Sequence, residues 1–287
     1  MMTGSILGFA AIATYLAGWF FHQRQLRLDK QTQPLALQLV AAGAIVLHGL
    51  AIAAMLFVDG GLDLSLLKII ALLALVINVL VWISGLKKPL QSLNLFLFPI
   101  SALSLLIALL SPSTKPALTM SADMQAHVLI SLLAYSLLAI AALQALLAGY
   151  QDWQLKHKHQ NLLMRTFPPV QTMEALLFEL IWAGEILLTL SLLSGFLFYD
   201  DLFAQKLVHK VVFSLVAWAV YAILLWGRHY RGWRGNKAIR WTWAGFSAIL
   251  LGFIGSKFVV EFILSLGFFQ CKKPVAKNGK LIQHNRP

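Results

Sequence analysis

Eight long apolar runs, separated by short polar connections, fill most of this 287-residue sequence. A helix needs about 20 apolar residues to cross the hydrocarbon core of a bilayer. In that solvent only helices and closed barrels satisfy their own backbone groups. The runs fall at roughly 4–21, 35–58, 63–84, 93–110, 127–150, 177–199, 210–227 and 242–264. Together they predict an all-α polytopic membrane protein with about eight transmembrane helices. Residues 1–264 would form one transmembrane domain and 265–287 a basic tail, with no room for a separate soluble domain. The breaks carry turn chemistry at Asp59-Gly60-Gly61, Lys88-Pro89, Ser111-Pro112, Pro168-Pro169 and Gly232 to Gly235. Pro99 inside the short fourth run is expected to kink that helix.

Composition agrees with this reading. The chain is 59% hydrophobic and 12% charged, against about 45–50% and about 25% for soluble domains. That excludes an ordinary soluble fold and a disordered chain. Cys271 is the single cysteine, which excludes a disulfide-stapled module and any thiol–disulfide chemistry that needs two cysteines in one chain.

Lysine and arginine set the expected orientation. The connections 22–34, 85–92, 151–176 and 228–241 hold thirteen positive residues, whereas 59–62, 111–126 and 200–209 hold two. The first group belongs on the cytoplasmic side, which puts both termini outside the cytoplasm. The net charge of +12 is then largely an orientation signal and no argument for nucleic acid. The tail runs against the trend, because Lys272, Lys273, Lys277, Lys280 and Arg286 would lie outside. No positive residue precedes Arg24, so the first run lacks the basic start of a signal peptide and reads as a retained helix.

Ionisable residues inside spans are costly and often functional. Lys68 is expected to snorkel to the outer interface, Lys257 and Glu261 to pair at i,i+4 near the outer end of the eighth helix, and Glu179 to sit at an interface. Glu185 lies deeper and must find a partner or stay protonated. A structural polar contact is the simpler role for it than a proton relay.

Histidines are placed more tellingly. His48 lies near the middle of the second run, while His127 opens the fifth and His209 the seventh, both toward the outer face. His22, His157, His159 and His229 fall in or beside cytoplasmic loops. A single buried histidine is more often a hydrogen-bonded core residue than a ligand. Two at the outer rim of two spans form a better pattern for haem, whose iron takes neutral imidazole as axial ligand. Haem is flat and apolar with two carboxylates, which suits an aromatic rim carrying Lys206 and Lys210.

The stretch Leu187-Leu188-Thr189-Leu190 with Gly195, then Ala217-Trp218-Ala219-Val220-Tyr221, then Arg231-Gly232-Trp233-Arg234-Gly235, resembles the cytochrome c assembly membrane-protein family of the CcsA type. His127-Val128 followed by Tyr135 falls at that family's spacing in the helix that opens its haem site. The run Trp218, Leu225-Trp226-Gly227-Arg228 and Gly232-Trp233-Arg234-Gly235 resembles its small YpjD branch, inner-membrane relatives without the large periplasmic domain. The likeness covers about residues 30–264. It implies a haem-handling protein of the inner membrane, with haem as cofactor or cargo and with the bilayer and cytochrome c assembly components as partners. His127 matches the first of two outer histidines flanking the haem, and His48 resembles the histidine of an internal haem site.

The departures are specific. Residues 198–210, where the family has a tryptophan-rich loop, contain no tryptophan. Lys210 takes the place of the lysine of the family's WDPKE motif, but the WDP residues before it are replaced. No histidine falls within 265–275, so His209 is the candidate second outer ligand on grounds of position. Trp226 stands where the family has its other intramembrane histidine. Gly232 to Gly235 reads as a tight turn with an aromatic anchor, and Trp218 and Tyr221 as packing or haem-lining residues.

The leading expectation is thus a membrane haem-binding protein whose outer site is reduced to His127, His209 and Lys210, lined by Trp218, with His48 marking a second site. His127→Ala should then lower haem content far more than His22→Ala. The alternatives are a transporter of another ligand using Glu185, Lys257 and Glu261, and a non-catalytic scaffold that has lost haem. No nucleophile–base pair, metal-spaced cluster or phosphate loop points to an enzyme.

Overall fold

The computed structural model describes residues 2–27, 34–58, 61–88, 90–111, 121–158, 167–198 and 208–255. Among them are eight α-helices: α1 (Met2–Arg27), α2 (Pro34–Leu56), α3 (Leu66–Gly85), α4 (Asn94–Leu110), α5 (Ala122–Lys156), α6 (Val170–Phe198), α7 (Val208–Arg231) and α8 (Asn236–Leu250). A short hairpin, β1 (Phe57–Val58) with β2 (Gly61–Leu62), joins α2 to α3. One turn of 3₁₀ helix, Gln91–Leu93, precedes α4, and a π-helical turn, Leu251–Gly255, prolongs α8.

Six helices (all but α4 and α8) are long and apolar enough to cross a membrane. Helix α4, at 17 residues, is shorter and runs through Pro99 without a break. The described part of α8 has 15 residues before the π turn, and the expected remainder of that run, with Lys257 and Glu261, lies outside the described residues. So do the basic tail and the loop before α7, residues 199–207. Helices α1, α5, α6 and α7 are longer than their apolar runs. Helix α1 extends to Arg27 and α5 from Ala122 to Lys156, because polar and charged side chains at a helix end can reach water while the backbone stays helical.

Helices α1 to α4 pack as one group and α5 to α8 as another, with α3 against α5 where the groups meet. Tyr15, Leu37, Ala41, Ala44 and Phe98 make the core of the first. Leu138, Ala141, Leu177, Ile181, Tyr221 and Leu224 centre the second. Leu90, Leu93, Leu97, Ile140, Leu147 and Met173 bridge them. Large apolar side chains such as Phe20, Leu39, Leu110 and Leu197 face outward, the arrangement expected of a protein solvated by lipid.

Several polar groups inside are paired across helices. Asn78 donates to Ser101 Oγ at 2.5 Å and to Ala74 O at 2.7 Å. Trp82 Nε1 donates to Gln38 O at 3.0 Å. Lys68 departs from expectation, since it is buried instead of reaching the interface. Its Nζ lies 2.5 Å from Asp63 Oδ2 and 3.0 Å from Met55 O. The hairpin supplies the reason, because it folds Asp63 back over the start of α3. Burial opposes the charged form of Asp63, but the Lys68 hydrogen bond, the Ser65 backbone N–H and the Lys68 charge outweigh it. The carboxyl is held below the usual carboxylate range.

The turn between α7 and α8 depends on Gly232 and Gly235, at φ +64° and +55°, a region that side chains with a Cβ disfavour. It places Trp233 flat against Gly227, where an added Cβ would lie 2.5 Å from the indole. Arg228 and Arg234 both reach Glu174 Oε1, at 2.9 and 3.3 Å. Glu179, expected at an interface, is exposed and paired with Lys88.

Candidate functional site

Helix α5 begins with an N-cap at Ser121, whose side chain accepts from the Met124 N–H at 3.4 Å. From that start, His127, Ser131 and Tyr135 recur at i, i+4 and i+8 and share one face. Opposite them stand Ser191, Ser194 and Gly195 of α6, then Lys210 and Ser214 of α7. These residues line a half-open cleft whose remaining wall is apolar, including Leu188, Leu192 and Phe196.

The polar side chains of the cleft form a ladder. His127 Nδ1 lies 2.8 Å from Ser194 Oγ, and that hydroxyl donates to Ser191 O at 2.9 Å. Its single hydrogen is thus committed, so Nδ1–H of His127 donates to it and the ring carries its lone pair on Nε2. Ser131 Oγ donates to His127 O at 2.7 Å and so accepts from Ser191 Oγ at 2.7 Å. Tyr135 and Ser214 hydroxyls are 3.4 Å apart. Interhelical bonds of this kind average about 0.6 kcal/mol in membranes, so the ladder matters more for ring orientation than for stability. Gly195 makes the close approach possible, since a Cβ there would stand 3.2 Å from His127 Cε1.

Two of the residues singled out in the sequence therefore meet, His127 and Lys210. The Lys210 ammonium lies 5.8 Å from the centre of the Phe253 ring, which also packs edge-on to Tyr135 at 6.2 Å. His209 is in the first turn of α7, but its side chain lies outside the described residues. His48 belongs to the other helix group. It is fully buried, with Nδ1 3.2 Å from Tyr15 Oη. Trp218 lines a different groove, between α6 and α7, and donates to Thr189 Oγ1 at 2.9 Å. His22, expected in or beside a loop, is instead buried in α1 with both ring nitrogens unpartnered.

A neutral, hydrogen-bonded imidazole, a lysine near it and apolar walls between helices are the donor set that haem accepts. Among the described residues no cluster of three or more histidine, cysteine or acidic side chains could hold a bare metal ion. The serines escaped the sequence reading because a serine inside an apolar run does not break it. The i,i+4 relation of Ser131 to His127 and the Ser191–Ser194 pair were the available signals.

The family model for cytochrome C assembly protein matches residues 6–264. The chain belongs to the cytochrome c assembly family. It is 33% identical over 223 residues to the inner membrane protein YpjD of Escherichia coli K12, covering 77% of this chain and 84% of that one. An uncharacterized 28.8 kDa protein of Azospirillum brasilense is 31% identical over 140 residues, 48% of this chain and 52% of the other. The cytochrome c biogenesis protein CcsA of Prochlorococcus marinus NATL1A is 31% identical over 105 residues, 36% and 33% of the two chains. No solved structure matches. This cytochrome c assembly family member is a multi-pass protein of the inner membrane.

Proposed function

We propose that this protein binds haem in the cleft between α5, α6 and α7 and handles it for cytochrome c assembly. The observation that carries the proposal is the His127 imidazole, fixed through Nδ1 by Ser194 in a cleft that also contains Lys210. His127 would hold the iron, His209 is the candidate for a second ligand, and Lys210 would pair with a haem carboxylate. Bound haem supplies an iron that can cycle between two oxidation states; the chain's own residues orient, bury and release it. The protein makes and breaks no covalent bonds in this reading.

The outer site is a reduced form of the family's, because the stretch before α7 has no tryptophan. His48, fully buried beside Tyr15, is the candidate for a second, internal site. Trp218 belongs to neither, since it faces the α6–α7 groove. Residues 1–264 act as one transmembrane domain of eight crossings with both termini outside the cytoplasm, and cytochrome c assembly components are the expected partners.

The test is an absorption spectrum of the detergent-purified protein, oxidised and reduced, with haem measured per chain. It is run in a His48→Ala background so that the internal site does not contribute; a Soret band corresponding to about one haem per chain is expected there, and adding His127→Ala should remove most of it. His157→Ala is the control, because His157 is exposed at the end of α5, whereas the burial of His22 makes that residue unsuitable. A protein that stays colourless when haem is supplied, or one whose band survives His127→Ala, overturns the proposal.

A further inference from the structure

The face of α1 turned away from the core is apolar for most of its length and basic at its end. The buried stripe of this helix, Ala11, Tyr15, Gly18, His22 and Gln25, recurs at i, i+4, i+7, i+11 and i+14, and it packs on α2 and α4. On the opposite face stand Ile6, Phe9, Leu16 and Phe20, all exposed, followed by Arg24 and Arg27, also exposed. The apolar span of α1 ends at Gln25, so both guanidinium groups stand where hydrocarbon gives way to lipid headgroups. Trp19, Phe20, Gln23, Arg24 and Arg27 line an open recess at that level.

Several basic side chains near the ends of α3, α5 and α7 are engaged within the protein. Lys88 pairs with Glu179, Lys156 with Asp152, and Arg228 and Arg234 with Glu174. Arg24 and Arg27 have no acidic partner among the described residues. Arginine stays charged at any relevant pH, and its planar fork matches the oxygens of a phosphate. Two such forks at i,i+3 lie on one side of the helix and can close on a single phosphodiester. The negative end of the helix dipole favours these cations but does not hold an anion, so the side chains must do so. An acidic peptide would match the guanidinium groups alone, whereas the apolar face that runs on from them, Phe20 and Leu16, matches acyl chains. One molecule with a negative headgroup and apolar tails meets both.

We propose that the outward face of α1 binds one anionic phospholipid. Its phosphodiester lies between Arg24 and Arg27, Gln23 donates to a headgroup oxygen, and its acyl chains run along Phe20 and Leu16 with the Trp19 indole beside them. An anionic membrane surface attracts basic residues in general. What sets this place apart is two guanidinium groups without an acidic partner, beside aromatic walls in one recess. The binding is independent of haem at His127, which belongs to the other helix group.

The test is native mass spectrometry of the full-length protein in detergent, titrated with an equimolar mixture of phosphatidylglycerol and phosphatidylcholine. One phosphatidylglycerol per chain should be retained at concentrations where phosphatidylcholine is not. Arg24→Gln with Arg27→Gln should weaken that binding about tenfold or more, the effect of losing charge-assisted hydrogen bonds. Lys87→Gln with Lys158→Gln removes the same charge from exposed residues at the same end of the bundle and should bind within about twofold of the native protein, since distant exposed charges are screened. Equal retention of the two lipids assigns the recess to general lipid contact and overturns the proposal. Equal weakening in the two double variants assigns the effect to net charge and overturns it too. So does full competition by glycerol phosphate, which carries a headgroup and no tails. A dimer of the native protein that Arg24→Gln with Arg27→Gln dissolves, with no lipid retained, gives the face to a second copy instead. Haem content should stay unchanged in both double variants, which separates this test from that of the His127 cleft.

Discussion

Ser194 Oγ accepts the Nδ1–H of His127 at 2.8 Å, and its own hydrogen is spent on Ser191 O. One helix therefore sets the tautomer of a histidine on another. Residues that orient a ligating imidazole through its second nitrogen typically contribute 10- to 100-fold to affinity, about the range expected here. Ser194→Ala should weaken haem binding about tenfold while leaving the fold intact. Haem titration followed at the Soret band measures this, and unchanged affinity would remove Ser194 from the site.

The Asp63–Lys68 pair predicts a pH-dependent stability. Asp63 titrates below its unfolded value, so the pair's contribution is fully present above about pH 4. It fades as the pH falls through the lower folded-state value. Breaking a buried pair by removing one partner costs about 3–5 kcal/mol. Asp63→Asn should thus lower the melting temperature in detergent at pH 7 and flatten the acid limb of the native profile. Replacing both residues, as in Asp63→Asn with Lys68→Met, should recover much of the loss.

Much of the fold was legible because a run of about 20 apolar residues has few alternatives in lipid. What failed did so for identifiable reasons. Lys68 looked interfacial by its distance from the helix end, but its partner comes from a hairpin that carries no helical periodicity. His22 looked like a loop residue because Arg24 and Arg27 follow it, yet α1 continues to Arg27 and takes His22 inside. At the site, His127 and Lys210 were legible as chemistry-bearing residues near one rim. The serine ladder was not, since its meaning lies in contacts between α5 and α6. Trp218 shares a helix with Lys210 but faces a different space.

Glu174 holds Arg228 and Arg234 across the α7–α8 turn. Glu174 is largely buried and Arg228 partly so, which places the pair between a surface bridge and a buried one. Glu174→Gln should cost about 1–3 kcal/mol, the range for a hydrogen bond to a charged group. The loss should appear as faster hydrogen exchange in residues 231–240 before any change in global melting. Protection unchanged in that segment would mean that Gly227 packing against Trp233 holds the turn alone.

Orientation can be read from the single cysteine, Cys271. Thirteen positive residues in one set of connections against two in the other predict which side each faces. The described helices alternate in direction, so the ends of α2, α4 and α6 share a side with the start of α1. With eight crossings, Cys271 emerges on that same outer side. A membrane-impermeant maleimide added to intact spheroplasts should label it, and Cys271→Ser should abolish the signal. Labelling only after the membrane is opened would put the tail in the cytoplasm. That result would require either an odd number of crossings or a reversed orientation. An added cysteine at Lys88 decides between these, since reversal alone exposes it to the outside reagent.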